Sequence, residues 1–196
     1  DILNLVYLCN HFGLYEVANY WESIVNINQW QQDRIYKKIV DSLFGNIAGK
    51  KITILGFAFK SGTNDTRESP AINISKSLLL EGAFLAIHDP KVKSEQIAID
   101  LNNNAINHDK LQNGLKANEG SWFFYDDIYE ASIDSHALIV ITEWNDYKNM
   151  NWVKISEKMK RPSWVFDTRG ILDKIDIQKA GINIWQLGDG GINNLS

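Results

Sequence analysis

The stretch GFAFKSGTNDTRESP, from Gly56 to Pro70, places two cations, Lys60 and Arg67, between an apolar run and the start of a helix. Lysine supplies a movable point charge, and arginine a planar fork suited to phosphate. Ser69-Pro70 reads as an N-cap followed by a first-turn proline. A helix start adds unpaired N–H groups and partial positive charge. Together these make an anion cradle. Each charge-assisted hydrogen bond contributes about 1.5–3 kcal/mol, so two or three would hold a diphosphate. A second reading fits equally: Arg67 pairs with Asp65 or Glu68 and braces the loop. Arg169, in FDTRG, has the same pair of readings, ligand contact or surface salt bridge. Asp89, in IHDPK, stands where an acid can meet a ribose. Pro90 and Lys91 favour a turn there instead, and Glu143 and Trp144 in TEW favour packing.

Other chemistries find little support. No Gly-x-Gly-x-x-Gly fingerprint occurs, and Gly56 and Gly62 stand too far apart to make one. His11, His88, His108 and His136 share no metal-ligand spacing, so no metal site is expected. No Ser/His/Asp arrangement can be defended. Cys9, the lone cysteine, lies in the apolar run LNLVYLC and reads as a core residue. A single cysteine excludes an internal disulfide and fits a reducing, cytoplasmic setting. The net charge of −4 argues against a general nucleic-acid binder. No apolar run approaches the roughly 18–20 residues of a membrane span. The first residue is Asp, which reads as a fragment or a processed chain.

The elements that position these residues follow from periodicity. DILNLVYLCNHFG reads as a helix closed by Gly13. A second helix spans about 14–44, with Val17, Trp21, Ile24, Ile27, Ile35, Ile39 and Leu43 on one stripe. A helix this long is expected to pack against a subunit or another domain, with folding back on its own domain as the alternative. KKITILGFAF then reads as a buried strand, and Pro70 opens a helix that stops near Gly82. AFLAIHDP is the next strand, completing a parallel crossover unit. Residues 91–120 read as an exposed insertion with a short helix. WFFYDDIYEAS is a strand edge entering a helix, HALIVIT a buried strand, WVKISEKM a short helix, and SWVFDTRG and INIWQLG two further strands. This alternation predicts a doubly wound sheet, with ligands beyond the carboxyl ends of its strands.

The motifs GFAFKSGTNDTRESPA, IHDPK, VITEW and FDTRG resemble the C-terminal half of the UDP-glucose/GDP-mannose dehydrogenase family. The helical opening resembles that family's central region and favours its UDP-glucose members over those acting on GDP-mannose or UDP-N-acetylhexosamine. The resemblance implies an α/β fold: a Rossmann-like three-layer parallel sheet over 46–196, preceded by a helical, dimer-forming region over 1–45. It implies oxidation of UDP-glucose to UDP-glucuronate by two hydride transfers to NAD, through a cysteine thiohemiacetal. Phe59, Lys60 and Arg169 match residues that contact the UDP-sugar, and Arg67 matches one that reaches NAD held mainly by another domain. Asp1 matches the last residue of a Gly-Gly-x-Cys-Phe-x-Lys-Asp pattern, so the nucleophile would lie four residues upstream and Cys9 is not it. The expectation is a homo-oligomer whose isolated C-terminal part is inactive. The alternatives are a related nucleotide-sugar dehydrogenase or a non-catalytic nucleotide-binding module.

Overall fold

The computed structural model describes residues 2–102 and 120–189. The β-branched run after Lys50 becomes β1 (Lys51–Leu55), in which Ile52, Ile54 and Leu55 have no exposed surface. Such a run suits a central strand covered on both faces. Around it lie β2 (Phe84–His88), β3 (Ser121–Phe124), β4 (Ala137–Val140), β5 (Trp164–Asp167) and β6 (Asn183–Gln186). All pairings are parallel, in the order β3-β2-β1-β4-β5-β6. This is the Rossmann-like order, whose topological switch lies between the first and fourth strands. The register sets Leu55 beside both His88 and Val140, and Val140 beside Asp167. The segments after β1, β2, β4 and β5 therefore leave the sheet along one edge.

Helices α1 (Ile2–His11) and α2 (Tyr15–Ser42) precede the sheet. The 28 residues of α2 extend about 42 Å, whereas a five-residue strand spans about 17 Å. The helix therefore overhangs the sheet. Ile35, Ile39 and Leu43 enter the core, whereas Val17 and Ile27 are exposed. The expected stripe is thus covered by its own domain at the C-terminal end alone. Tyr36 OH donates to Glu81 Oε1 at 2.9 Å and Asn73 Nδ2 to Gln32 Oε1 at 2.8 Å, fixing α2 against α3 (Pro70–Leu80). Burial, reinforced by Glu81, pushes the Tyr36 hydroxyl up to about 12. Helix α1 packs on α2, and Cys9 and Ala18 are buried.

Ser69 caps α3 as its sequence predicts, accepting from Ala71 N ahead of Pro70 at the first position. The described part of 91–120 departs from the expected exposed insertion. Val92, Ile97 and Leu101 are buried in the core around α4 (Ser94–Asp100), and residues 103–119 lie outside the described residues. Short helices α5 (Ile128–Ser132) and α6 (Trp152–Ser156) follow the reading of the sequence. The remaining one, α7 (Lys174–Lys179), does not: it is short and charged, and is marked mainly by its cap, Asp173, which accepts from Ile175 N and Asp176 N.

Candidate functional site at the strand carboxyl ends

The β1 loop is built onto the end of the sheet by buried acceptors as well as by the apolar burial of Phe57 and Ala58. Asp89, following β2, is buried, and its Oδ2 accepts from Phe57 N at 2.7 Å, Ala58 N at 3.0 Å and Trp144 Nε1 at 3.2 Å. Its Oδ1 accepts from Lys91 N and Val92 N. The turn expected at Asp89 is therefore present, and the same carboxylate also holds the β1 loop. Thr142 Oγ1 donates to Ala58 O at 2.6 Å, and Lys91 Nζ donates to Gly62 O at 2.9 Å. Behind this layer, His88 Nδ1 lies 3.0 Å from Tyr147 OH, and burial pushes the histidine below and the tyrosine above their ordinary values.

Asp167 does at β5 what Asp89 does at β2. It is fully buried; its Oδ1 accepts from Arg169 N and Gly170 N, and its Oδ2 from Leu172 N and Gln186 Nε2. A carboxylate at a strand end with successive N–H groups folded over it is an Asx turn, expected in HDPK and found in FDTRG as well. Arg169 itself is held at Nε, which donates to Ile141 O at 2.6 Å and lies 3.3 Å from Glu143 Oε2. Neither terminal nitrogen of its guanidinium hydrogen-bonds to a described residue. Glu143 Oε1 in turn accepts from Ser61 N at 3.5 Å. One carboxylate on the β4 loop thus touches both cation-bearing loops. The packing role expected of Trp144 fits its burial, whereas Glu143 makes polar links that its sequence neighbourhood does not announce.

Of the two readings of Arg67, the structure contains the brace. Nε and Nη2 donate to the Asp65 carboxylate, with the closest approach 2.7 Å. These bonds, with a smaller effect from Lys60, hold the Asp65 carboxyl at about 2. The Arg67 side chain is nevertheless 88% exposed, so the brace leaves it at the surface. Phe59 and Lys60 are exposed on the same loop. Glu68, at φ +61° just before the Ser69 cap, has a left-handed conformation unusual for a side chain of its kind. Asp1 lies outside the described residues.

The crevice between β1 and β4 does not fit a dinucleotide. Gly56 and Thr142 close it by direct contact, and the Asp89 carboxylate is engaged by five N–H donors. Among the described residues no group of three or more His, Cys, Asp or Glu side chains could hold a metal, and no helix is long and apolar enough to cross a membrane. A cleft of about 470 Å³ lies elsewhere, between α2 and β6, and shares no residue with these loops.

Residues 53–174 match the model of the UDP-glucose/GDP-mannose dehydrogenase family, UDP binding domain. The chain is 44% identical over 190 residues to UDP-glucose 6-dehydrogenase of Gallus gallus, covering 96% of this chain and 37% of that protein. It is 41% identical over 195 residues to UDP-glucose 6-dehydrogenase 2 of Arabidopsis thaliana, covering 96% and 40%. It therefore spans about two fifths of the length of these curated relatives. A solved UDP-glucose dehydrogenase from the hyperthermophilic archaeon Pyrobaculum islandicum shares the fold, with TM-score 0.67 and 21% identity over 94% of this chain and 35% of that one. The matched residues run from within β1 to beyond β5 and include the three loops that meet at Glu143, and on that ground the chain belongs to the UDP-glucose/GDP-mannose dehydrogenase family.

Proposed function

We propose that this chain forms the UDP-sugar-binding part of an NAD-dependent UDP-glucose 6-dehydrogenase. The observation that carries the reading is the attachment of two cation-bearing loops to one carboxylate, Glu143, inside the segment that matches a UDP-binding domain. On this reading Arg169 offers its outward terminal nitrogens, and Lys60 its ammonium, to the diphosphate. Phe59, 46% exposed, covers the ligand with its ring. Arg67 extends from the same loop toward a nicotinamide cofactor held by another segment, because the crevice of this domain does not fit one. Asp1 would serve beside the cysteine that captures the aldehyde in the family's reaction. That reaction oxidises the C6 alcohol to a carboxylate with two NAD equivalents and one water. Cys9, 7% exposed and packed with α1 and α2, is not placed to act as that nucleophile.

The exposed apolar residues of α1, the turn after it and early α2, among them Leu3, Tyr7, Phe12, Tyr15 and Tyr20, support a homo-oligomer formed through this helical region. Calorimetric titration of the 196-residue chain with UDP, UDP-glucose, UDP-N-acetylglucosamine and GDP-mannose tests the ligand assignment. The expected result is binding of UDP and UDP-glucose in preference to GDP-mannose. Equal binding of all four, or none of UDP, would overturn it.

A further inference from the structure

We infer that Glu143 is a positioning residue for the UDP site, acting through Arg169 and the β1 loop; this rests on the assignment of Arg169 to the diphosphate. Its carboxylate is the one acidic group in contact with both cation-bearing loops among the described residues: Oε1 takes Ser61 N–H, next to Lys60, and Oε2 faces Arg169 Nε. Oε2 is buried and accepts no hydrogen bond from a described residue, and it forms an ion pair with the guanidinium. That arrangement would be costly as a bare surface feature, because a buried charged oxygen without a donor is unfavourable. It makes sense as a restraint. An arginine with free rotamers loses entropy on gripping a ligand, whereas one already fixed at Nε presents its terminal nitrogens without that loss.

The fixation is two-sided. Ile141 O accepts from Nε at 2.6 Å, and the Asp167 turn fixes the backbone of Arg169 through its N–H. Glu143 supplies the remaining restraint and extends it to Ser61, so a ligand meets both loops in a set relation. A carboxylate this close to a diphosphate also repels it. The side chain faces the Arg169 cation at 3.3 Å, so orientation outweighs repulsion and removal weakens binding.

A double-mutant cycle read by UDP titration of the 196-residue chain decides this. Arg169→Ala is expected to weaken UDP binding about ten- to hundredfold, and Glu143→Ala about tenfold. Glu143→Gln keeps an acceptor for Ser61 N but not the charge that faces Arg169 Nε, so it should recover only part of the affinity lost in Glu143→Ala. In the Arg169→Ala background, Glu143→Ala should cost a clearly smaller factor than in the parent chain, because only its hold on Ser61 remains. Glu143→Ala that binds as the parent does, binds more tightly, or costs the same factor with and without Arg169 would overturn the inference while leaving the UDP assignment standing. A Gln variant that binds UDP as tightly as the parent would also overturn it, because the charge facing Arg169 would then restrain nothing. Unchanged UDP affinity in Arg169→Ala, or no UDP binding by the parent chain, would overturn the assignment of the site and this inference with it.

Discussion

A β-carbon placed on Gly56 would stand 2.4 Å from Thr142 Cβ and 2.7 Å from Thr142 N. The backbone of the β1 loop therefore crosses the β4 end at a distance that only glycine permits, and it does so at φ +92°. In a dinucleotide-binding sheet the glycines after β1 make room for a ligand. Here the glycine makes room for the neighbouring loop, and the Thr142 hydroxyl then seals the contact through Ala58 O. Gly56→Ala combines left-handed strain with overpacking against backbone. The expected loss is about 2–5 kcal/mol of stability, read as a lower urea midpoint. A variant as stable as the parent chain would show that the two loops are not held this closely.

Asp89→Ala tests the buried acceptor that fastens the same loop. The substitution leaves Phe57 N, Ala58 N, Lys91 N, Val92 N and Trp144 Nε1 without their acceptor. Stranded buried donors cost about 1–3 kcal/mol each where water cannot reach them. Relaxation around the site limits the sum, and the expected loss is about 3–5 kcal/mol. Because Lys60 lies beyond the fastened residues, hydrogen exchange should accelerate across the 56–62 backbone at denaturant concentrations too low to unfold the sheet. Exchange raised uniformly over the whole chain would mean that Asp89 supports global stability with no special hold on this loop.

Arg67 separates from Arg169 by where each is held. Its partner Asp65 lies on its own exposed loop, and exposed pairs of this kind add little to stability. Arg67→Ala should leave Tm and UDP affinity of the 196-residue chain unchanged. In a protein of the relatives' full length it should raise KM for NAD by more than KM for UDP-glucose. A larger rise for the sugar nucleotide would exchange the roles proposed for Arg67 and Arg169.

These distinctions mark where sequence reading reaches its limit. The α3 start was legible because Ser69-Pro70 acts through neighbours two residues away. The turn at Asp89 was legible from Pro90 and Lys91, whereas the like turn at Asp167 was not expected, although both aspartates capture N–H groups just beyond themselves. Lys60 and Arg67 were legible as a charged loop, yet whether Arg67 braces or binds depends on distances no spacing records. The Glu143–Arg169 pair was not legible. It exists because β4 and β5 are parallel neighbours, so their loops meet although a helix and a turn separate them in the chain. Burial of Val92, Ile97 and Leu101 was hidden by their polar, Asn-rich surroundings. The overhang of α2 depends on the size of the sheet, a property of the assembled fold.

The pair beneath the loops gives a pH dependence with a definite sign. Burial holds His88 below its ordinary 6.5, against smaller opposing effects of Asp89, Asp146 and Asp127, and burial does the same to His136. The unfolded chain therefore takes up these protons first as pH falls. Between 6.5 and the lower native values it binds more protons than the folded chain, and stability declines with falling pH across that window. Above about pH 8 both imidazoles are neutral in either state and the contribution is complete and flat. Tm should accordingly drop as pH is lowered from 7 toward 5, before most carboxylates titrate. His88→Asn retains a polar atom toward Tyr147 OH but cannot gain a proton, so its Tm should fall less steeply over that range. His136→Asn should flatten the curve further when combined with it. Parallel curves for the parent chain and the double variant would show that the decline comes from carboxylates alone.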